Sequence, residues 1–350
     1  MRRVVRWLGR LAAVLLLLIV ALLLPVAYVE LACRGEDVPS EYAAILPPEH
    51  HRPEARTLLT YPEWHIVHAY DDYARVIGQD DPHAFGYLRA IGGFWSSLCA
   101  ISRIAGRYGG VDGGTKQMVY TIGVSFTAEL AAKAAYEETL GRAATWARGA
   151  ARAPLDDLSA RQATDYAAFL QQTPWYKWDF PADAAALSGA ATGAVRDRER
   201  RLALGLEYRV KAAYAGLIAQ AVAGVGADAL RLRIVARGLP EAAFAAYEEV
   251  AVVGARPEGV EIETPRYRAL THLLAAMARD GAEFVEIAGN DDILLTALSD
   301  GPVTPVPLFS FDRQGYGDRR HLILLKVPDL AAWLRSNAGT GLRLEHIHDY

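Results

Sequence analysis

The chain is 350 residues long, ordinary for a globular protein apart from heavy use of alanine, with a formal net charge of −4. Four arginines stand among its first ten residues, so the remainder carries −8; a nucleic-acid binder is excluded for want of a basic footprint. Two cysteines are too few for a zinc-finger or iron–sulfur ligand set.

The opening MRRVVRWLGR holds those arginines and no acid. Leu11 to Val29 then runs 19 residues without a charge, about 28 Å of helix against a hydrocarbon core of ~30 Å. The arginine cluster predicts a cytoplasmic N-terminus and a translocated bulk. The apolar run is longer than that of a cleaved signal, no small-residue cleavage site follows it, and Glu30 spoils a lipoprotein signal ahead of Cys33. The expectation is a retained single-pass signal anchor, residues 1–33, in the cell inner membrane with the bulk in the periplasm. Residues 34–56, with Pro39, Pro47, Pro48 and Pro53, read as an extended linker, and His50-His51 within it as surface. Cys33 and Cys99 would pair in an oxidising compartment; Cys99 lies in the apolar FWSSLCAIS, so a buried free thiol is the alternative.

Residues 57–77, TLLTYPEWHIVHAYDDYARVI, gather more chemically capable side chains than any other stretch. Thr60 with Glu63 fits a capping box, and Pro62 then falls in the first turn, which predicts a helix over 60–77. At 100° per residue Ile66, Val67, Tyr70, Tyr73, Ala74 and Ile77 share one side, and Tyr61, His65, His68 and Asp72 the other. The i, i+3, i+7 spacing of His65, His68 and Asp72 would let all three reach one divalent metal, Zn²⁺ or Fe²⁺, with Glu63 or His83 as acid and base. Those residues point away from the apolar stripe, so the pattern first predicts a solvated polar face. A ligand site requires a second element to cover it.

A second helix is expected at about 83–106. The loop GRYGGVDGGT, 106–115, lacks the preceding strand and the Lys-Ser/Thr order of a phosphate loop and reads as a connector. Lys116 to Arg148 is helical, with Glu129, Lys133 and Glu137 at i, i+4, i+8 expected on an exposed, ion-paired face. Ser159 with Gln162 marks a capping box opening a helix to about Gln172. TPWYKWDFP, 173–181, puts Trp175, Tyr176, Trp178 and Phe180 in one loop. Either it folds back into the helical core, or it offers a contact surface to a bilayer interface, a protein partner or a flat hydrophobic ligand, with Tyr61 and Trp64 as further ligand contacts. RDRERR, 196–201, reads as a solvated helix start, and the apolar run 212–227 as too short and glycine-rich for a second membrane pass.

Near residue 225 the pattern changes. LRLRIVA (230–236), VAVVGA (250–255), HLILLKV (321–327) and LRLEHIH (342–348) read as strands, and FVEIAGNDDILLTAL (284–298) as a hairpin about Gly289-Asn290. Helices are expected at 265–279 and from Pro328 to about Ser336. No repeat is evident. The fold class is α+β: a transmembrane anchor (1–33), a linker (34–56), a helical array (57–225) and an α+β sandwich (226–350) of ferredoxin-like type. His346 and His348 alternate on the last strand and share a face with Leu342 and Leu344, which predicts histidines packed inward with their hydrogen bonds met. No G-x-S-x-G turn or dinucleotide fingerprint occurs. Three function classes follow: a membrane-anchored extracytoplasmic accessory or binding protein, a metal enzyme using His65, His68 and Asp72, and a binder of a flat or lipid-like ligand.

Overall fold

The computed structural model describes residues 2–52, 54–109, 111–225, 231–337 and 339–349. Helix α1 (Arg2–Ala32) contains, at Arg6–Ala32, the one span among the described residues long and apolar enough to cross a membrane. Its last turns enter the body of the protein. Val29 and Cys33 are buried, Cys33 is disulfide-bonded to Cys99, and Glu30 accepts from Tyr120 (2.6 Å) and pairs with Lys116 (3.2 Å).

The segment that follows is pinned, not loose. Val38 N–H donates to Gly106 O (2.7 Å), and Arg52 N–H to Ala288 O (2.8 Å). Between them the buried Glu286 carboxylate accepts from Ile45 N–H (2.6 Å), Leu46 N–H (2.8 Å) and the Tyr42 hydroxyl (2.6 Å). A buried carboxylate demands donors, and the supposed linker supplies them.

Seven helices make the array: α2 (Glu54–Gln79), α3 (Tyr87–Ala105), α4 (Gly113–Tyr136), α5 (Arg142–Arg148), α6 (Pro154–Leu170), α7 (Phe180–Ala190) and α8 (Val195–Val225). α2 is the central one, packed on α3, α4 and α6. It begins six residues before Thr60, so Pro62 lies inside it and the capping-box reading of Thr60 and Glu63 does not hold. Proline there costs one helical hydrogen bond, to Leu58 O, and its ring is buried. Likewise α6 opens at Pro154, where Asp156 accepts the Ala153 N–H (3.0 Å); Ser159 and Gln162 are interior.

The charge runs also sit differently. Arg196, Asp197 and Arg200 are buried, not solvated: Arg196 meets Asp156 (2.8 Å) and Arg200 meets Glu137 (2.8 Å). Glu129 and Lys133 join α4 to α8 through Lys211 (2.8 Å) and Glu207 (3.0 Å), so the repeat Glu129–Lys133–Glu137 binds helices together instead of lining an open face. The aromatic loop folds back. Trp175 and Trp178 are half-buried against Tyr214 and Tyr166, and the Trp178 indole donates to Asp183 (2.7 Å).

The C-terminal part comprises β1 (Arg231–Arg237), α9 (Glu241–Phe244), β2 (Ala251–Arg256), β3 (Gly259–Pro265), α10 (Tyr267–Arg279), β4 (Glu283–Ile287), β5 (Asp292–Ser299), β6 (Phe309–Asp312), β7 (Arg319–Lys326), α11 (Val327–Ser336) and β8 (Arg343–Ile347). They form two antiparallel sheets, ordered β2-β3-β1-β4 and β6-β7-β5-β8. Each order is that of a split βαβ unit, with α10 or α11 before the last strand, so one topology occurs twice without a visible sequence repeat. The expected 284–298 hairpin is overturned: β4 and β5 belong to different sheets, and the tight turn between them, with Ala288 and Gly289 at φ 51° and 80°, is where the chain crosses over.

The second sheet is buried on both faces, and every residue of β5 is buried. Ile293, Leu295, Ala297 and Ile323 face the sandwich core with α10 and α11, while Leu294 and Leu322 belong to the core of the helical array. That sheet is what covers α2.

Candidate functional site

The side of α2 read from sequence as solvated is buried. Tyr61, His65, His68 and Asp72 are at most 5% exposed. The reason is the second sheet, whose helix-facing residues close over them. On β7 the alternation that aims Leu322 at the helices also aims Arg320, which is fully buried. Its guanidinium grips Glu345 of β8, Nε to Oε2 at 2.5 Å and Nη2 to Oε1 at 2.6 Å. Its third nitrogen stands 3.9 Å from Asp72 Oδ1.

A bulge completes the arrangement. β8 pairs Leu344 with Ala297 but His346 with Thr296, so Glu345 is an inserted residue. Leu344 therefore stays with the sandwich, while His346, and His348 beyond the strand end, turn to α2. This corrects the expectation that Leu344 and His346 share a face. Trp64 stacks on His346 with ring centres 3.6 Å apart, and Tyr61 meets His348 edge-on at 5.2 Å.

The hydrogen bonds of this seam are only partly met. His346 Nδ1 bonds the Thr271 hydroxyl (3.2 Å). Among the described residues Tyr61 Oη, His68 Nε2, Asp72 Oδ1, Arg320 Nη1, His346 Nε2 and both ring nitrogens of His348 are buried without a hydrogen-bond partner. Buried polar atoms are ordinarily satisfied, so this concentration singles the seam out. Burial drives the histidines toward neutrality: His65 is lowered to about 4, His348 to about 3, and His68 and His346 well below the usual imidazole range, with the Arg320 charge adding to the shift at the first two and at His68. Burial raises Asp72 to about 6, against the opposing pull of Arg320.

The three residues read as metal ligands do not converge. His65 turns to α3, donating to Ala90 O (2.9 Å); His68 faces Glu345 (3.6 Å); Asp72 accepts the Gln314 N–H (3.0 Å). Among the described residues no group of three or more His, Cys, Asp and Glu is placed to hold one ion. Gly93 allows the seat of His65, since a Cβ there would stand 2.7 Å from its ring. Glu63 and Trp64 are half-buried beside the seam; His83 lies beyond the end of α2, between it and α3. Trp175, Tyr176 and Trp178 belong to a separate aromatic cluster with Tyr166, Phe180 and α8.

Sequence reading missed Arg320, Glu345 and the turn after β6. There Arg313 pairs with Asp318 (3.1 Å) and Asp71 (3.0 Å) and stacks on Tyr316, and Gln314 bonds both Asp72 and Gly86. Arg320 precedes the run read as a strand, and a bulge leaves no mark in hydropathy; only the two adjacent acids, Asp71-Asp72, hinted at basic partners. Compared with known protein families, characterised proteins and solved structures, the chain matches none.

Proposed function

We propose that the chain is a membrane-anchored extracytoplasmic accessory or binding protein, and that the α2 seam locks its helical and α+β parts into one shape instead of turning over a substrate. The observation that carries this reading is closure: Tyr61, His65, His68, Asp72, Arg320, His346 and His348 are all buried. Reacting groups must touch substrate, and these touch one another. The Cys33–Cys99 bond and the pinned segment after it favour an anchor rigidly joined to its body, in an oxidising compartment.

Two measurements test it. An alkaline-phosphatase fusion after Asn337 should be active in cells and a cytoplasmic reporter at that position inactive; the reverse would place the body in the cytoplasm. Diethyl pyrocarbonate, followed by peptide mass mapping at pH 7, should modify the partly exposed His50 and His51 well before His68, His346 and His348. Equal rates would mean an open cleft and return the enzyme reading to favour.

A further inference from the structure

The uncharged run of α1 ends at Glu30. From Arg10 to Glu30 is 20 residues, about 30 Å of helix, the thickness of a hydrocarbon core. Trp7 and Tyr28, both exposed, stand near the two ends of that run, where an aromatic belt belongs. With the chain anchored, Glu30 lies where hydrocarbon gives way to headgroups.

A cleft opens at that level between the end of α1 and helices α2, α3 and α4, about 620 Å³ with its mouth included. Its floor is apolar: Leu59, Leu98 and Val119 line it and are at most 4% exposed. Its walls carry two cations, Arg34 and Lys116, and two anions, Glu30 and Asp37. Lys116 and Glu30 pair with each other (3.2 Å) while both stay partly exposed. Arg34 and Asp37 are exposed, and among the described residues neither has a hydrogen-bond or ion-pair partner.

Both are nevertheless fixed in place by the backbone that carries them. Cys33 is disulfide-bonded to Cys99 of α3, and Val38 N–H donates to Gly106 O (2.7 Å). Between those two points Gly35 lies so close to Arg103 O that no side chain would fit.

A guanidinium and a carboxylate, each without a partner and three residues apart at one cleft, suit a ligand that carries both charges. A purely anionic ligand would leave Asp37 facing it, and a choline group has no N–H to give a carboxylate. Ethanolamine phosphate satisfies both sides: its phosphate oxygens accept from Arg34 and Lys116, and its ammonium donates to Asp37 and Glu30.

We propose that this cleft binds the phosphoethanolamine headgroup of a bilayer lipid, with the glycerol and first methylenes on Leu59, Leu98 and Val119. The proposal rests on the anchored binding-protein reading above and names its ligand. The bilayer is the source because the cleft lies at headgroup depth beside the anchor. A soluble phosphoethanolamine compound offers the same groups, and the test separates the two.

The full chain in dodecyl maltoside micelles is titrated with dioleoyl phosphatidylethanolamine, phosphatidylcholine or phosphatidylglycerol, and bound lipid is counted by native mass spectrometry. Phosphatidylethanolamine should bind, one molecule per chain, at least about threefold tighter than the other two. Arg34→Gln and Asp37→Asn should each weaken it about three- to tenfold. Arg103→Gln, which removes an exposed cation of the same region that does not line the cleft, should not. The contrast among lipids in the unaltered chain decides the matter should a variant fold poorly. Equal binding of the three lipids would overturn the site. Tighter phosphatidylglycerol, indifferent to Asp37→Asn, would overturn the zwitterion. Glycerophosphoethanolamine held as tightly as the lipid would overturn the bilayer as its source. Alkaline carbonate extraction of the chain from vesicles tests the anchor separately. A released chain removes the anchored reading and this proposal with it, whereas a retained chain without lipid preference overturns the proposal alone.

Discussion

Two buried polar regions of this protein solve the same problem in opposite ways. Between α4, α6 and α8 charge meets charge: Arg200 is held by Glu137 at 2.8 and 3.1 Å and by Glu199 at 2.8 Å, and Arg196 by Asp156 and Glu199. Between α2 and the second sheet, four imidazoles are buried in neutral form around one Arg320–Glu345 pair, with many of their polar atoms lacking a hydrogen-bond partner among the described residues. In the first region each buried guanidinium meets a carboxylate at hydrogen-bond distance, so neither charge is left uncompensated. The second is held only while its histidines stay uncharged.

The largest expected difference is therefore in pH dependence. His65, His68, His346 and His348 have folded pKa values below that of a free imidazole, so the unfolded chain binds protons first as pH falls. Their contribution to stability is fully present above about pH 6.5 and lost below it, by roughly 2 kcal/mol per histidine between pH 7 and 5. The groups facing them are Arg320, Arg313, Glu345 and Asp72; of these Asp72, with its raised pKa, gives back about 1 kcal/mol. Thermal unfolding should shift steeply downward from pH 7 to 5, and less steeply in His68→Gln. A midpoint constant over that range would mean that the seam admits charge as readily as the ion-pair network does.

The ion-pair network should break by truncation instead. Arg200→Ala leaves Glu137, 2% exposed, without its cation, and should cost about 3–5 kcal/mol in denaturant unfolding, by the same amount at pH 6 and pH 8. The double variant Arg200→Met/Glu137→Leu should recover most of that loss, since a well-packed apolar pair can replace a buried ion pair. A loss confined to low pH would contradict the contrast between the two regions.

Much of the fold was legible in the residues. Uncharged length gave the long apolar N-terminal helix, and periodicity gave the helical array followed by an α+β part, because both follow from local pattern. The seam was not legible as a seam. The polar side of α2 has the spacing of a wet face, and only a sheet arriving more than 200 residues later reverses that reading, through Arg320 and Leu322 at alternate positions of β7. The bulge at Glu345 flips His346 and His348 by one residue, and a strict period of two cannot register it. RDRERR fails for the same reason: a charged run counts as surface until partners such as Glu137 and Asp156 are brought to it by tertiary packing.

The smallest effect is the most discriminating. Asp72 has a folded pKa of about 6, raised chiefly by burial and opposed by Arg320. A raised carboxyl contributes stability that is present below its unfolded value near 3.8 and lost as pH rises through 6. Asp72→Asn does not titrate, and its amide oxygen can still accept the Gln314 N–H that Asp72 Oδ2 now takes at 3.0 Å. The stability of the variant relative to wild type should therefore rise by about 1 kcal/mol between pH 5 and pH 7. Urea unfolding of both proteins at the two pH values measures it directly. Should the difference run the other way, with the variant losing ground as pH rises, the carboxylate is held ionised by Arg313 and Arg320, at 3.8 and 3.9 Å. The seam would then be a second ion-pair network with histidines around it, and the distinction between the two regions would shrink to one of partners.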